Sequence, residues 1–188
     1  AEIIYKKSIE IDSKNIFALV NLSRICRIIN DLQKSEELLQ SALELEPENL
    51  FANLNYAELK IEQNNFREAI IIFEKIYKKK ENFQNVIMRL ANTYSIIGEF
   101  KKAEEYLSLV SKKKPELFAA DYRLSNIINY SERKDHQKVI LEKIKDKKFD
   151  KINKYPLLFA IAKSYEDQKD YEESFKYIEL ANIERNKL

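Results

Sequence analysis

The sequence predicts an all-α fold of stacked antiparallel helix pairs, with about eleven helices, on three observations. The 188 residues include one Gly and three Pro, while 34% are charged and 45% hydrophobic, a composition that favours helix and can bury a core. The chain resembles itself when shifted by 34 residues, with units starting at Ile16, Leu50, Gln84, Phe118 and, after a longer unit, Tyr155. Small residues recur at the same two places in most units.

Within each unit, two stretches with apolar residues at helical spacing flank a short polar break, at Asn30-Asp31, Asn64-Asn65, Gly98-Glu99 and Lys169-Asp170. Each unit therefore reads as a helical hairpin. Residues 1–15 form the second helix of a truncated repeat, followed by repeats over 16–49, 50–83 and 84–117, a degenerate longer repeat over 118–154 and a last repeat over 155–188. The eighth place holds Ser23, Ala57, Ala91, Ser125 and Ala162, and the twentieth Ala1, Ser35, Ala69, Ala103, Gln137 and Ser174. Small side chains suit places where helix axes approach to about 8–10 Å. Bulky residues fill the space between hairpins: Leu22, Tyr56, Leu90, Leu124 and Ile161, then Tyr5, Leu39, Phe73, Leu107, Leu141 and Ile178. Leu32, Phe66, Phe100 and Tyr171 anchor the second helices, and Pro47 and Pro115 stand where those helices should stop. In the longer unit Lys134 replaces the aromatic anchor and Gln137 the small residue, so a shorter or tilted second helix is expected there.

These features resemble the tetratricopeptide repeat family over essentially the whole chain, with Gly98, Phe100 and Ala103 in the best-preserved unit and Asp170, Tyr171 and Glu173 in the last. The resemblance implies a right-handed α-solenoid whose first helices line a concave groove. It places Asn21, Arg24, Asn55, Arg89, Asn92, Arg123 and Asn126 on that groove. An amide side chain both donates and accepts, so a row of asparagines can pair with the backbone of an extended peptide. Family members that glycosylate Ser and Thr use such a ladder, and this chain is similar over part of its length. The arginines suit carboxylate or phosphate groups on a partner, or pair with Glu58, Glu62 and neighbouring acids. A two-carboxylate clamp needs bases where Val20, Leu54, Ile28 and Glu62 stand, which argues against that specificity.

Composition excludes other chemistries. A single glycine cannot build a dinucleotide or phosphate loop. One Cys and one His leave metal or triad catalysis without its usual residues, so no cofactor and no catalytic residue are expected. The formal net charge of +2 mixes 33 basic with 31 acidic residues and does not indicate nucleic acid as the main partner. No apolar run reaches the roughly 20 residues that span a bilayer. The chain reads as cytoplasmic, with both ends cut from something longer. Cys26 reads as a buried thiol and His136 as a surface histidine. The lysine runs 78–80 and 112–114 lie one period apart at helix ends, where cations complement the helix dipole.

The function expected is a protein-protein interaction module that binds a peptide or protein segment in its groove. The alternative starts from Phe159–Asp167 with Tyr171, Phe175, Ala181 and Asn182, a segment that resembles the repeats preceding the catalytic domain of bacterial tetratricopeptide sulfotransferases. That resemblance implies a substrate-presenting arm of a larger transferase, sulfotransferase-like before glycosyltransferase-like, with its catalytic domain beyond Leu188.

Overall fold

Polar side chains start the helices. Asn15, Asp31, Asn49 and Asp170 each accept a hydrogen bond from a backbone N–H of the first helical turn that follows. The computed structural model describes residues 1–80, 83–149 and 151–187, and among them lie eleven α-helices, one 3-10 turn and no strand. The helices are α1 (Glu2–Ile11), α2 (Ile16–Ile28), α3 (Leu32–Leu45), α4 (Leu50–Glu62), α5 (Phe66–Lys79), α6 (Gln84–Ile96), α7 (Phe100–Lys113), α8 (Phe118–Ser125), α9 (Asp135–Lys145), α10 (Tyr155–Asp167) and α11 (Tyr171–Arg185). The 3-10 turn covers Lys147–Phe149.

The chain forms two compact units, Ala1–Thr93 and Tyr94–Leu188. In the first, α1 packs on α2, α2 on α3, α3 on α4 and α4 on α5, while the first helices α2 and α4 lie side by side. Leu19, Leu22, Cys26, Leu38, Leu39, Ala42 and Leu59 form the core between them. In the second, α7 packs on α8, and α10 packs on α8, α9 and α11. Phe118, Ile140, Phe149, Leu157, Ala160 and Ile161 fill its centre, with the Phe118 and Phe149 rings meeting edge to face at 5.3 Å. The small places are closed to water: Ser23, Ser35, Ala57, Ala69 and Ala91 in the first unit, Ala103, Ser125, Ala162 and Ser174 in the second.

The polar breaks are tight turns of one kind. Asn30, Asn64, Gly98 and Lys169 all take left-handed backbone, with φ of 63°, 59°, 81° and 62°. At each, the next residue's N–H reaches back to a carbonyl five residues earlier, as in Asp31 to Cys26 at 2.8 Å and Asp170 to Tyr165 at 3.0 Å. This is the hydrogen-bond pattern that ends a helix on a left-handed residue. Asparagine and glycine tolerate that conformation, and lysine does so at a cost.

The degenerate stretch departs from the rest in both of its helices. α9 has 11 residues against 14 in α3, α5 and α7, as Lys134 and Gln137 foretell. α8 is cut further, to 8 residues, and nothing in the sequence pattern announced that. Gln137 still occupies a buried place, because its amide nitrogen donates to Ser164 Oγ at 3.1 Å.

Two substitutions test this account by chemical denaturation. Lys169→Gly should raise stability by about 1 kcal/mol, because glycine removes the left-handed penalty. Ser35 Oγ is buried without a hydrogen-bond partner among the described residues, so Ser35→Ala should stabilise by ~1 kcal/mol through loss of an unsatisfied hydroxyl. A loss of stability in either variant contradicts the assignment at that position.

Candidate functional site

The side-by-side packing of α2 and α4 opens a cavity of about 320 Å³ on the first unit. Phe17 and Phe51 stand beside it, 70% and 68% exposed, an unusual display of aromatic surface for a helix pair with a full core. Asn21, Arg24 and Asn55 line the same cavity with Val20. Three residues that the sequence places on the groove therefore share one concave feature.

The asparagines have a common geometry. The amide nitrogens of Asn21 and Asn55 each donate to the carbonyl four residues back, Phe17 and Phe51, at 2.8 Å. In the second unit Asn126 does the same to Tyr122 at 3.1 Å. Each amide is thereby fixed with its oxygen left for other donors. Arg27 Nη1 comes within 3.5 Å of the Asn55 oxygen. Asn92 is exposed on α6, and Arg123 is exposed on α8.

The arginines divide. Arg27 makes a bidentate pair with Glu62 at 2.6 and 3.0 Å and reaches Glu58 at 3.7 Å. Arg89 on α6 pairs with Glu58 on α4 and donates to Asn85 at 3.1 Å. Burial, and then the Arg27 charge, lower the pKa of Arg89. These two arginines brace the first helices against one another. Arg24 is exposed, lines the cavity and has no hydrogen bond or ion pair among the described residues. Of the three arginines on the first helices of this unit it alone has no partner among the described residues.

Two segments match the family model of the tetratricopeptide repeat, residues 30–81 and 155–182. The chain carries tetratricopeptide repeats. No curated protein matches it by sequence. Among solved structures it is similar to YrrB, a TPR protein with an unusual peptide-binding site, at 15% identity over 99% of this chain and 94% of that one, with a TM-score of 0.68. It is also similar to the MamA protein, at 18% identity over 93% and 94% and a TM-score of 0.68. A tetratricopeptide repeat protein from Parabacteroides merdae matches at 19% identity over 98% of this chain and 72% of its own, with a TM-score of 0.73. At these identities the likeness is one of fold. Tetratricopeptide proteins are protein-interaction modules, and no described helix is long and apolar enough to cross a membrane.

The degenerate repeat holds a polar cluster that sequence reasoning missed. His136 is not a surface histidine: it is 7% exposed, its Nε2–H donates to Asp121 at 3.2 Å, and its Nδ1 is hydrogen-bonded to the Tyr130 hydroxyl at 2.5 Å. The proton on Nε2 follows from Asp121, which as a carboxylate can only accept. Asp121, fully buried, also accepts from Ser111 Oγ at 2.6 Å and from Lys143 at 2.8 and 3.0 Å. Lys143 donates further to the Ser111 carbonyl and hydroxyl at 3.3 and 2.9 Å. The His136 column otherwise holds Lys34, Glu68, Lys102 and Glu173, which is why its pattern reads as solvated. Truncation of α8 changes its surroundings, because the non-helical residues after Ser125 bring Tyr130 inward, where it is completely buried. The one available signal was Asp121 itself, in a column that otherwise holds Leu19, Asn53, Ile87 and Leu158.

A cavity of about 440 Å³ lies against this cluster, lined by Ser111, His136 and Lys143 with Leu124, Ile128 and Val139. The Lys143 donors and both His136 nitrogens are engaged within the cluster, which thereby braces α7, α8 and α9. Among the described residues no group of three or more His, Cys, Asp or Glu could hold a metal ion. Burial pushes the Asp121 pKa up, and the bonds from His136, Lys143 and Ser111 outweigh it, leaving the carboxyl below its usual range. Burial, and then the Asp121 charge, raise the Tyr130 phenol.

A carboxyl with a lowered native pKa contributes stability that is full above its unfolded value, about 4, and lost as acid passes its native one. Asp121→Asn should cost roughly 3 kcal/mol at pH 7, because it leaves Lys143 buried without a countercharge. Thermal melts across pH should show the gap between wild type and variant narrowing below about pH 4. A gap of constant size would contradict the assigned direction.

Proposed function

We propose that the first-helix face of the first unit binds an extended segment of another protein, with an apolar side chain seated between Phe17 and Phe51. The single observation that carries the reading is the cavity of about 320 Å³ that Asn21, Arg24 and Asn55 share with those aromatics. An apolar side chain entering it buries area that a folded module leaves open at no gain to itself. The amide oxygens of Asn21 and Asn55 supply acceptors for the N–H groups of an extended backbone, which is sequence-independent recognition. Arg24 adds a forked donor for a carboxylate or phosphate on the ligand. Arg89 and Asn92 extend the first-helix face along α6, with Arg89 held in place by Glu58. In the second unit Arg123 and Asn126 on and beside α8 serve as the corresponding contacts.

Pre-organisation supports this reading physically. The ion pairs of Arg27 and Arg89 with Glu58 and Glu62 join three successive first helices, so little of the binding energy is spent on ordering the face. These residues are read as binding and not catalytic. The resemblance of Phe159–Asp167 to the repeats of sulfotransferases supplies a context for the same module, in which the held segment is presented as a substrate to a transferase domain of a longer chain.

A displayed random-peptide library panned against the protein should yield ligands with an aromatic or aliphatic residue beside an acidic one. For a selected peptide, Asn21→Ala and Asn55→Ala should each weaken binding about threefold to tenfold, the worth of one net hydrogen bond, measured by fluorescence anisotropy. Arg24→Ala should weaken it at least as much and reduce its salt dependence. If these changes leave affinity untouched and substitutions on the second helices α3 and α5 abolish it, the groove reading is wrong.

A further inference from the structure

We propose that the second unit carries a separate docking edge for an acidic segment of a partner protein, formed where the ends of α7 and α9 meet the 3-10 turn. Two contacts bring those ends together. The Lys143 ammonium on α9 bonds to Ser111 near the end of α7, and Phe149 packs edge to face on Phe118 at the start of α8. The residues next to these anchors are lysines: Lys112 and Lys113 on α7, Lys145 closing α9, Lys147 in the 3-10 turn and Lys151 just beyond it. All five are exposed, and none has a hydrogen bond or ion pair among the described residues. The acids nearby are already engaged, Glu116 with Lys114 at 4.0 Å and Asp146 with Lys148 at 3.0 Å, while Glu142 lies a turn back on α9. Asp150 falls outside the described residues.

The lysine run one period earlier shows the alternative. In the first unit Lys75 and Lys79 converge on Glu48, at 3.1 Å for Lys75, and lower its pKa. One period on from Glu48 stands Asn82, beside Glu81, and both fall outside the described residues. In a chain of net charge +2, the five lysines make a local surplus of positive charge that no ion pair among the described residues neutralises. Complementing the dipoles of α7 and α9 accounts for Lys112, Lys113 and Lys145, but not for Lys147 and Lys151, which lie outside any α-helix.

The chemistry of the edge selects its partner. Single-stranded nucleic acid is held by exposed aromatic rings as well as by charge, yet the aromatic residue of this edge, Phe149, is buried. A membrane surface is held by several large apolar side chains inserted beside the basic ones, whereas no large hydrophobic residue from Lys145 to Lys151 is exposed and the α7 side offers Val139, 41% exposed in the cavity it shares with Lys112. Lysines with no exposed ring and little apolar surface beside them fit flexible carboxylates, which need charge but no planar fork. The partner is therefore an acidic stretch of protein, and the edge is independent of the aromatic cavity on the first unit.

Fluorescence anisotropy with a labelled oligoglutamate peptide tests this. Wild type should bind saturably, and Lys145→Glu with Lys147→Glu should weaken binding about tenfold. Neutralising the other arm with Lys112→Gln and Lys113→Gln should also weaken it, each pair with an unchanged melting temperature. Reversing the paired lysines, Lys75→Glu with Lys79→Glu, should change affinity no more than about twofold, because Glu48 already occupies them. Equal loss from that control, or no binding by wild type, overturns the proposal. So does equal or tighter binding to an oligothymidylate of matching charge or to phosphatidylserine vesicles.

Discussion

Close approach of two helices through a column of small side chains is the constraint on which the rest of this molecule depends. Ser23, Ala57 and Ala91 on first helices, with Ser35, Ala69 and Ala103 on second helices, are buried, and larger residues there would drive the axes apart. Within the units the bulky residues Leu39, Phe73 and Leu107 are then core. The left-handed turns at Asn30, Asn64, Gly98 and Lys169 serve the same end, since a tight reversal sets the second helix against the first.

Where a small residue is missing, polar chemistry takes over. Gln137 cannot allow close approach, so α9 is held instead by its bond to Ser164 and by the Asp121, His136, Lys143 and Ser111 cluster. A buried charged brace of this kind costs desolvation that apolar packing would avoid, and it holds only because nearly every donor finds an acceptor. The same brace draws the end of α9 to the end of α7, which is how exposed lysines distant in sequence come to share an edge.

The first-helix face has a different logic. Its aromatics, Phe17 and Phe51, are spared from the core because Leu19, Leu22 and Leu59 already fill it. What remains exposed is a mixed surface of rings and amides, while Glu58 and Glu62 absorb the charges of Arg27 and Arg89. Charges paired within the fold and charges left exposed are thus divided among residues on one face, with the acids deciding which arginines are paired.

How much was legible in advance follows from the range of each interaction. Helices, their polar turns and the small columns were readable because they depend on residues three, four or one repeat apart, and a pattern of that kind survives in the linear order. Cys26 was readable as buried for the same reason. His136 was not, because its burial depends on Tyr130 folding inward after a truncated α8 and on Lys143 meeting Asp121 across 22 residues. Nor could the pairing of Arg89 with Glu58, or the lack of partners among the described residues for Arg24 and the exposed lysines of the second unit, be read from order alone. By itself the sequence determined an all-helical repeat of the tetratricopeptide type, since local periodicity dictates it. Only tertiary structure decided which charges are spent within the fold and which stay free, because an ion pair depends on distance in space and not along the chain.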